Sequence, residues 1–184
     1  MANIDIGAAA TDRSGSTSIA TYTVGSLTNP SNDSGTLDTV EMYFNVAATN
    51  VDVGTIYLIS GTTYKTRDVG YIGSVAAGSK QTASGLSISV ETGDLIAIKG
   101  DTGEIDTGPA TPQEVLRYSG DSLIIDTQVS YVLNYSIVSL YGSGSTPPTT
   151  SIKTLNGTAI ANIAKWNGIA IGDYKTILEI SNVD

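Results

Sequence analysis

A chain of 184 residues has room for one sandwich-sized domain plus an appendage, and its 40% hydrophobic content separates it from disordered chains. Eighteen acidic residues against nine basic give a net charge of -9; the cations are scattered, with Lys65 and Arg67 the nearest approach to a basic pair before the C-terminus, so nucleic acid is not expected as a partner. The lack of Cys and His removes disulfide scaffolds, thiolate metal sites, the usual general base and the commonest transition-metal ligand, and much of enzymology with them.

The opening MANIDIGAAATDRSG has neither a basic n-region nor an apolar h-region, and no run of 18 apolar residues follows anywhere. The expectation is synthesis in a cytoplasm without a signal peptide, and no membrane span. Helical periodicity is nearly absent. Thr, Val, Ile and Tyr recur in short runs broken by Gly, Asn, Asp and Pro as far as Gly142.

The clearest strand is Leu37 to Val46, where Val40, Met42, Phe44 and Val46 alternate with Glu41, Tyr43 and Asn45, one face for a core and one for solvent. Val51 to Ile59 follows, and Gly61 turns the chain into Thr63 to Val69 and on through Tyr71 and Ile72. Leu86, Ile88 and Val90 point inward, Glu91, Thr92 and Gly93 turn, and Leu95 to Ile98 resume, which reads as a hairpin. The segment GDTGEIDTGPATP reads as a polar loop before a strand at Val115 to Tyr118, and Thr127 to Tyr141 alternates as one long closing strand. Many strands at this spacing predict an all-β fold, a two-sheet β-sandwich of jelly-roll or immunoglobulin-like topology over residues 1–141.

Three patterns invite an enzymatic reading. Gly120-Asp121-Ser122-Leu123 spells the nucleophile block of an esterase family, yet no His is present to deprotonate Ser122, so it reads as a turn into a strand from Leu123 to Ile125. Asp101-Thr102-Gly103 and Asp106-Thr107-Gly108 spell the aspartic-protease triplet, but two such carboxylates must come from separate lobes. A solvated loop is the reading for them, with a calcium loop using Asp101, Glu104 and Asp106 as oxygen ligands the alternative; no other cofactor is expected. Carboxylate pairs such as Glu91 with Asp94 could serve a glycosidase, but they also suit surface turns.

Composition shifts at GSGSTPPTTS, residues 142–151, a Gly/Ser/Pro linker. Beyond it, IKTLNGTAIAN, IAKWNGIAIGD and YKTILEISNVD align as three 11-residue repeats over 152–184, the third having lost its Asn-Gly. Asn156-Gly157 and Asn167-Gly168 are two-residue hairpin signals, so the tail reads as short β-hairpins. Such small units bury little on their own, which makes Leu155, Asn156, Gly157, Trp166, Asn167, Gly168 and Ile177 the candidate interface residues.

The opening residues together with VGYIGSVAAGSKQTASGLSISVETGDLIAIKG resemble N-terminal β-sandwich domains of bacteriophage and prophage virion proteins, of the kind called tail or minor structural proteins. The tail SIKTLNGTAIANIAKWNGIAIGD resembles the Asn-Gly-x-Ala-Ile-Ala repeats that end many such proteins. The resemblance implies a virion component made in the host cytoplasm: a tail fibre, tail-tip or baseplate protein, or a capsid decoration, with other virion proteins as partners and no defined catalytic residue. The resulting expectation is a non-enzymatic structural protein acting through docking and homo-oligomerisation, a trimer favoured. The alternative is a carbohydrate-binding module in which Tyr side chains and the 100–108 loop recognise a cell-surface glycan, with calcium assistance; a two-carboxylate glycan hydrolase ranks last.

Overall fold

The computed structural model describes residues 3–147 and, beyond them, the backbone of four two-residue strands. The chain divides into two compact units, Met1–Pro147 and Pro148–Asp184. In the first, β1 (Asn3–Gly7), β2 (Gly15–Ser18), β3 (Tyr22–Ser26), β4 (Gly35–Val46), β5 (Ala48–Ser60), β6 (Thr63–Val75) and β7 (Lys80–Val90) are followed by a run of shorter strands. These are β8 (Leu95–Lys99), β9 (Glu104–Pro109), β10 (Val115–Ser119), β11 (Gln128–Ser130), β12 (Val132–Asn134), β13 (Ser136–Val138) and β14 (Leu140–Ser145). No helix occurs among the described residues.

The strands form two antiparallel sheets. In the first, β14 lies between β1 and β4, β7 pairs with the other edge of β4, and β9 takes up the end of β4 and carries β2 and β13. The second runs β11-β6-β5-β8-β3-β10-β12. Setting aside the short strands β2 and β9–β13, the eight that remain form the sheets β1-β14-β4-β7 and β6-β5-β8-β3. The chain crosses between sheets at nearly every step, first and last strands pair, and only β5 and β6 form a hairpin. That is the jelly-roll order, which settles the choice left open between jelly-roll and immunoglobulin-like topology.

This order corrects one local reading. β7 and β8 are not a hairpin: β7 pairs with β4 and β8 with β5 and β3, so the turn at Glu91–Asp94 carries the chain from one sheet to the other. Gly93, at a φ of +88°, serves such an arch as well as it would a hairpin.

The main core lies between the sheets. Ile4, Ile6, Leu37, Val40, Met42, Phe44, Val53, Ile88, Ile96 and Ile98 are buried there by the alternate-residue rule of their strands, with a register shift between Leu37 and Thr39 that puts Leu37 on the same face as Val40. Val46 breaks the expected pattern of β4, being 47% exposed, because the register slips between Phe44 and Val46 where β9 replaces β14 as partner. A second core of Ile56, Tyr64, Leu95, Ala97, Leu116, Leu123 and Tyr131 packs apart from the first.

Residues 127–141 build that second core in a way the alternation hides. Instead of one long strand, the segment makes β11, β12, β13 and the start of β14, each with a different partner. β11 pairs with β6 at one margin of the second sheet and β12 with β10 at the other, so residues 128–134 span the sheet and close it on itself. Tyr131, at the middle of this bridge, bonds its amide to the Thr62 carbonyl at 2.9 Å and stacks edge-on against Tyr64 at 5.7 Å.

Residues 142–145 also differ from their compositional reading as linker, for they complete β14 between β1 and β4. Their small side chains have a packing reason: a Cβ on Gly144 would collide with the Thr36 carbonyl oxygen. In the second unit, Thr154–Leu155 pairs antiparallel with Thr158–Ala159, and Lys165–Trp166 with Ile169–Ala170. The second strand pair repeats the first eleven residues on, in the expected period.

Candidate interaction surface

The two sheets end on one flank in long strands that lack a further partner. Beyond Thr66, β6 pairs only with β5, and β7 pairs only with β4, among the described residues. The strands approach each other at one end, where Asp68 Oδ2 accepts from the Ser89 amide at 2.7 Å and Thr55 Oγ1 donates to the Ser89 carbonyl at 2.7 Å. Gly70 permits this approach, since a Cβ there would stand 2.8 Å from the Ile88 side chain. Further along they part and leave an open cleft of about 300 Å³. Met42, Ile72, Val75, Ala83 and Leu86 supply its apolar lining, and Tyr71 stands at its mouth, 64% exposed and held by a 3.0 Å bond from its hydroxyl to Asn50 Oδ1.

Natural sheets usually blunt such margins with Pro, charge or short strands. Here the margin of β7 carries a single charge, Lys80, which is already paired with Glu41 at 2.8 Å. Elsewhere on the second sheet no such device is needed, because residues 128–134 cover the start of β6 and the margin of β10. A second exposed apolar group lies at the far end of the second sheet: Leu58 and Ile59 close β5, and Ile124 and Ile125 occupy the loop bonded to Thr66 on the adjacent strand.

The sequence-predicted sites fare unevenly. Ser122 is 1% exposed, and its hydroxyl shares a 2.6 Å bond with the Tyr131 hydroxyl while its carbonyl accepts from Thr66 Oγ1 at 2.7 Å. Its Gly-Asp-Ser-Leu block is structural: Leu123 plugs the second core, and residues 123–125 form a loop, not the expected strand. Burial first, with smaller pushes from Asp121 and the neighbouring tyrosines, drives the Tyr131 phenol up to about 12 against the opposing bond from Ser122.

The calcium candidates are not gathered around a common point. Asp101 accepts from Asn50 Nδ2 at 2.7 Å, Glu104 from Ser16 Oγ at 2.6 Å, and Asp106 from the Arg13 amide at 3.1 Å. Among the described residues no three acidic side chains stand close enough to hold a metal ion. The expected polar loop at 104–109 is β9 instead, paired with β2 and β13, which buries Asp106 to 2% exposure and leaves its Oδ1 without a partner. Burial is the main reason that the Asp106 carboxyl rises above its ordinary range; Asp12 adds to the rise and Arg13 opposes it. Asp94, which the sequence offers as a partner for Glu91, is 2% exposed and clasped by Arg67 through Nε at 2.6 Å and Nη2 at 3.1 Å.

Leu155 and Trp166 fall on the tail strands, whereas Asn156, Gly157, Asn167, Gly168 and Ile177 lie outside the described residues. One feature escaped the sequence entirely. Arg117 on β10 lies over the ring of Tyr22 of β3, its guanidinium carbon 3.9 Å from the ring centroid. In sequence each looks like an ordinary outward residue of a strand; the register Ser119↔Tyr22 brings them together. No protein-family model matches the chain, and no match is found among curated proteins or solved structures.

Proposed function

We propose that the chain is a non-enzymatic structural component of a phage particle, in its tail or on its capsid surface, acting as one copy of a homo-oligomer with a trimer favoured and docking onto other virion proteins. The observation that carries this reading is the open flank. Long unpaired margins beside an apolar cleft are a ready surface for a further strand or a second subunit, and one the chain leaves unguarded while it covers the start of β6 and the margin of β10. Support for the particle assignment comes from the resemblance of the opening, of residues 69–100 and of the hairpin repeats to virion proteins. Support for a non-enzymatic role comes from Ser122 and Asp94, whose polar atoms are buried and engaged inside the fold.

Light scattering of the purified full chain at tens of micromolar tests the proposal. The expected mass is a multiple of 19.0 kDa, three copies favoured. Ile72→Lys and Ala83→Lys, which place charge in the cleft, are expected to reduce it to one copy with an unchanged circular dichroism spectrum. A single-copy mass for the unaltered chain, or variants that assemble as before, would overturn the reading.

A further inference from the structure

Arg117 is the described cation without an anion or an acceptor. Arg67 clasps Asp94, Lys65 pairs with Asp126, and Lys80 with Glu41. Lys99 donates to the carbonyls of Ala20 and Gly100, and Arg13 to Ser139 Oγ and the Ala9 carbonyl. The Arg117 side chain makes no hydrogen bond or ion pair among the described residues; Tyr22 holds it by its ring alone, and its Nε is buried without a partner. In a chain of net charge -9, an Arg kept clear of every carboxylate is an unusual arrangement.

A cavity of about 230 Å³ adjoins it, lined by Tyr22, Arg117, Ser119, Val132 and Asn134. The registers explain this company. Arg117 stands opposite Val132, Ser119 opposite Tyr22, and Asn134 opposite Val115. Val115 enters the main core, and Arg117 and Ser119, on the same face of β10, continue past its rim. The hydroxyls of Tyr22 and Ser119 make no bond among the described residues either, so three unengaged polar groups converge on one cavity. Val132, 67% exposed, adds an apolar ledge. A concave site with a few convergent polar groups on an apolar wall is what small-ligand sites look like, and this one falls below the roughly 300–1,000 Å³ of drug-sized pockets, so it takes a single small ring.

We propose that this cavity binds one carboxylated pyranose, an acidic sugar residue at the end of a glycan. With Nε shut off, the terminal nitrogens of Arg117 are left to meet a carboxylate side by side. Ring hydroxyls then reach Ser119 Oγ, the Tyr22 hydroxyl and the Asn134 amide, and the apolar face of the sugar rests on Val132. One cation suits a monoanion; a phosphate dianion would meet more repulsion from the acidic protein and gain nothing from the apolar ledge. A single solvent-facing site of this kind binds weakly, and many copies on one particle would multiply its effect through avidity. The inference does not rest on the assembly reading, since a monomer would carry the same cavity.

The test is a titration of the isotope-labelled full chain, followed by amide chemical shifts, with sodium glucuronate, N-acetylneuraminate, glucuronic acid methyl ester, acetate and inorganic phosphate. One or both acidic sugars should saturate, shifting the amides of Arg117, Ser119, Val132 and Asn134, with the ester, acetate and phosphate at least about tenfold weaker. Arg117→Met, which keeps the length of the stem and removes the charge, should weaken the sugar by about tenfold or more with the spectrum otherwise preserved. Phosphate or acetate binding as tightly as the sugars, shifts located elsewhere, no saturation by either acidic sugar, or undiminished binding by Arg117→Met would each overturn the proposal. Should Arg117→Met fail to fold, the shift map and the ester comparison on the unaltered chain decide the matter.

Discussion

Two stretches of strand margin in this molecule solve the same problem in opposite ways. In one, residues 128–134 pair with the start of β6 and with β10 in turn and enclose a core in which every polar group near Ser122 has a partner. In the other, β6 beyond Thr66 and β7 run side by side with no further strand partner among the described residues and an apolar cleft between them. A margin that is covered along one stretch and left open along the next has its open stretch available for work. The contrast also separates two kinds of side chain, those whose loss would be felt in folding and those whose loss would be felt in contact.

The sharpest break of that comparison is Tyr131→Ala. It removes a ring packed edge-on against Tyr64 and leaves Ser122 Oγ buried without its partner, so the expected loss is about 3 to 5 kcal/mol by urea denaturation. Next comes alkali. The Tyr131 phenol rises from 10.0 to about 12 on folding, so its contribution is complete below pH 10 and is lost as the pH climbs toward 12, a fall of about 2 to 3 kcal/mol. Tyr131→Phe should remove that part of the alkaline slope at a cost near neutrality of about 1 to 2 kcal/mol, seen in the same titration.

On the open flank the effects on folding shrink. Tyr71→Ala is expected to change stability by less than about 1 kcal/mol while weakening association measurably in light scattering. Smallest of all is Asp106→Asn. Because burial raises the folded carboxyl, any stability due to its proton is present in acid and lost as the pH rises through the folded value. The amide should therefore leave stability at pH 7 unchanged or raised by less than about 1 kcal/mol, and thermal melting across pH 4 to 7 checks it.

Much of the main core was legible, because alternation states which face is apolar: Val40, Met42 and Phe44 on β4, and Ile88 and Val90 on β7, are buried as that rule requires. Alternation does not state the partner. The apolar series Val129, Tyr131, Leu133, Tyr135 and Ile137 satisfies one long strand as well as it does the three short ones that are formed, and Gly93 suits a hairpin as well as an arch. Composition misled at β9, where Asp, Thr, Gly and Pro suggest a loop; pairing with β2 and β13 and the Arg13 amide on Asp106 make the strand. Neither surface could be read beforehand. The open flank is defined by pairings that are absent, and the Arg117 cavity by a register between distant strands.

The claim that copies of the chain meet along β6 and β7 is met most directly by hydrogen exchange of the full chain, assembled and diluted to single copies. The account predicts that amides in residues 67–75 and 80–87 exchange slowly in the assembly and quicken on dilution, while those of the closed flank at 128–134 stay the same. Unchanged exchange on the open flank, with the difference falling elsewhere in the chain, would contradict it.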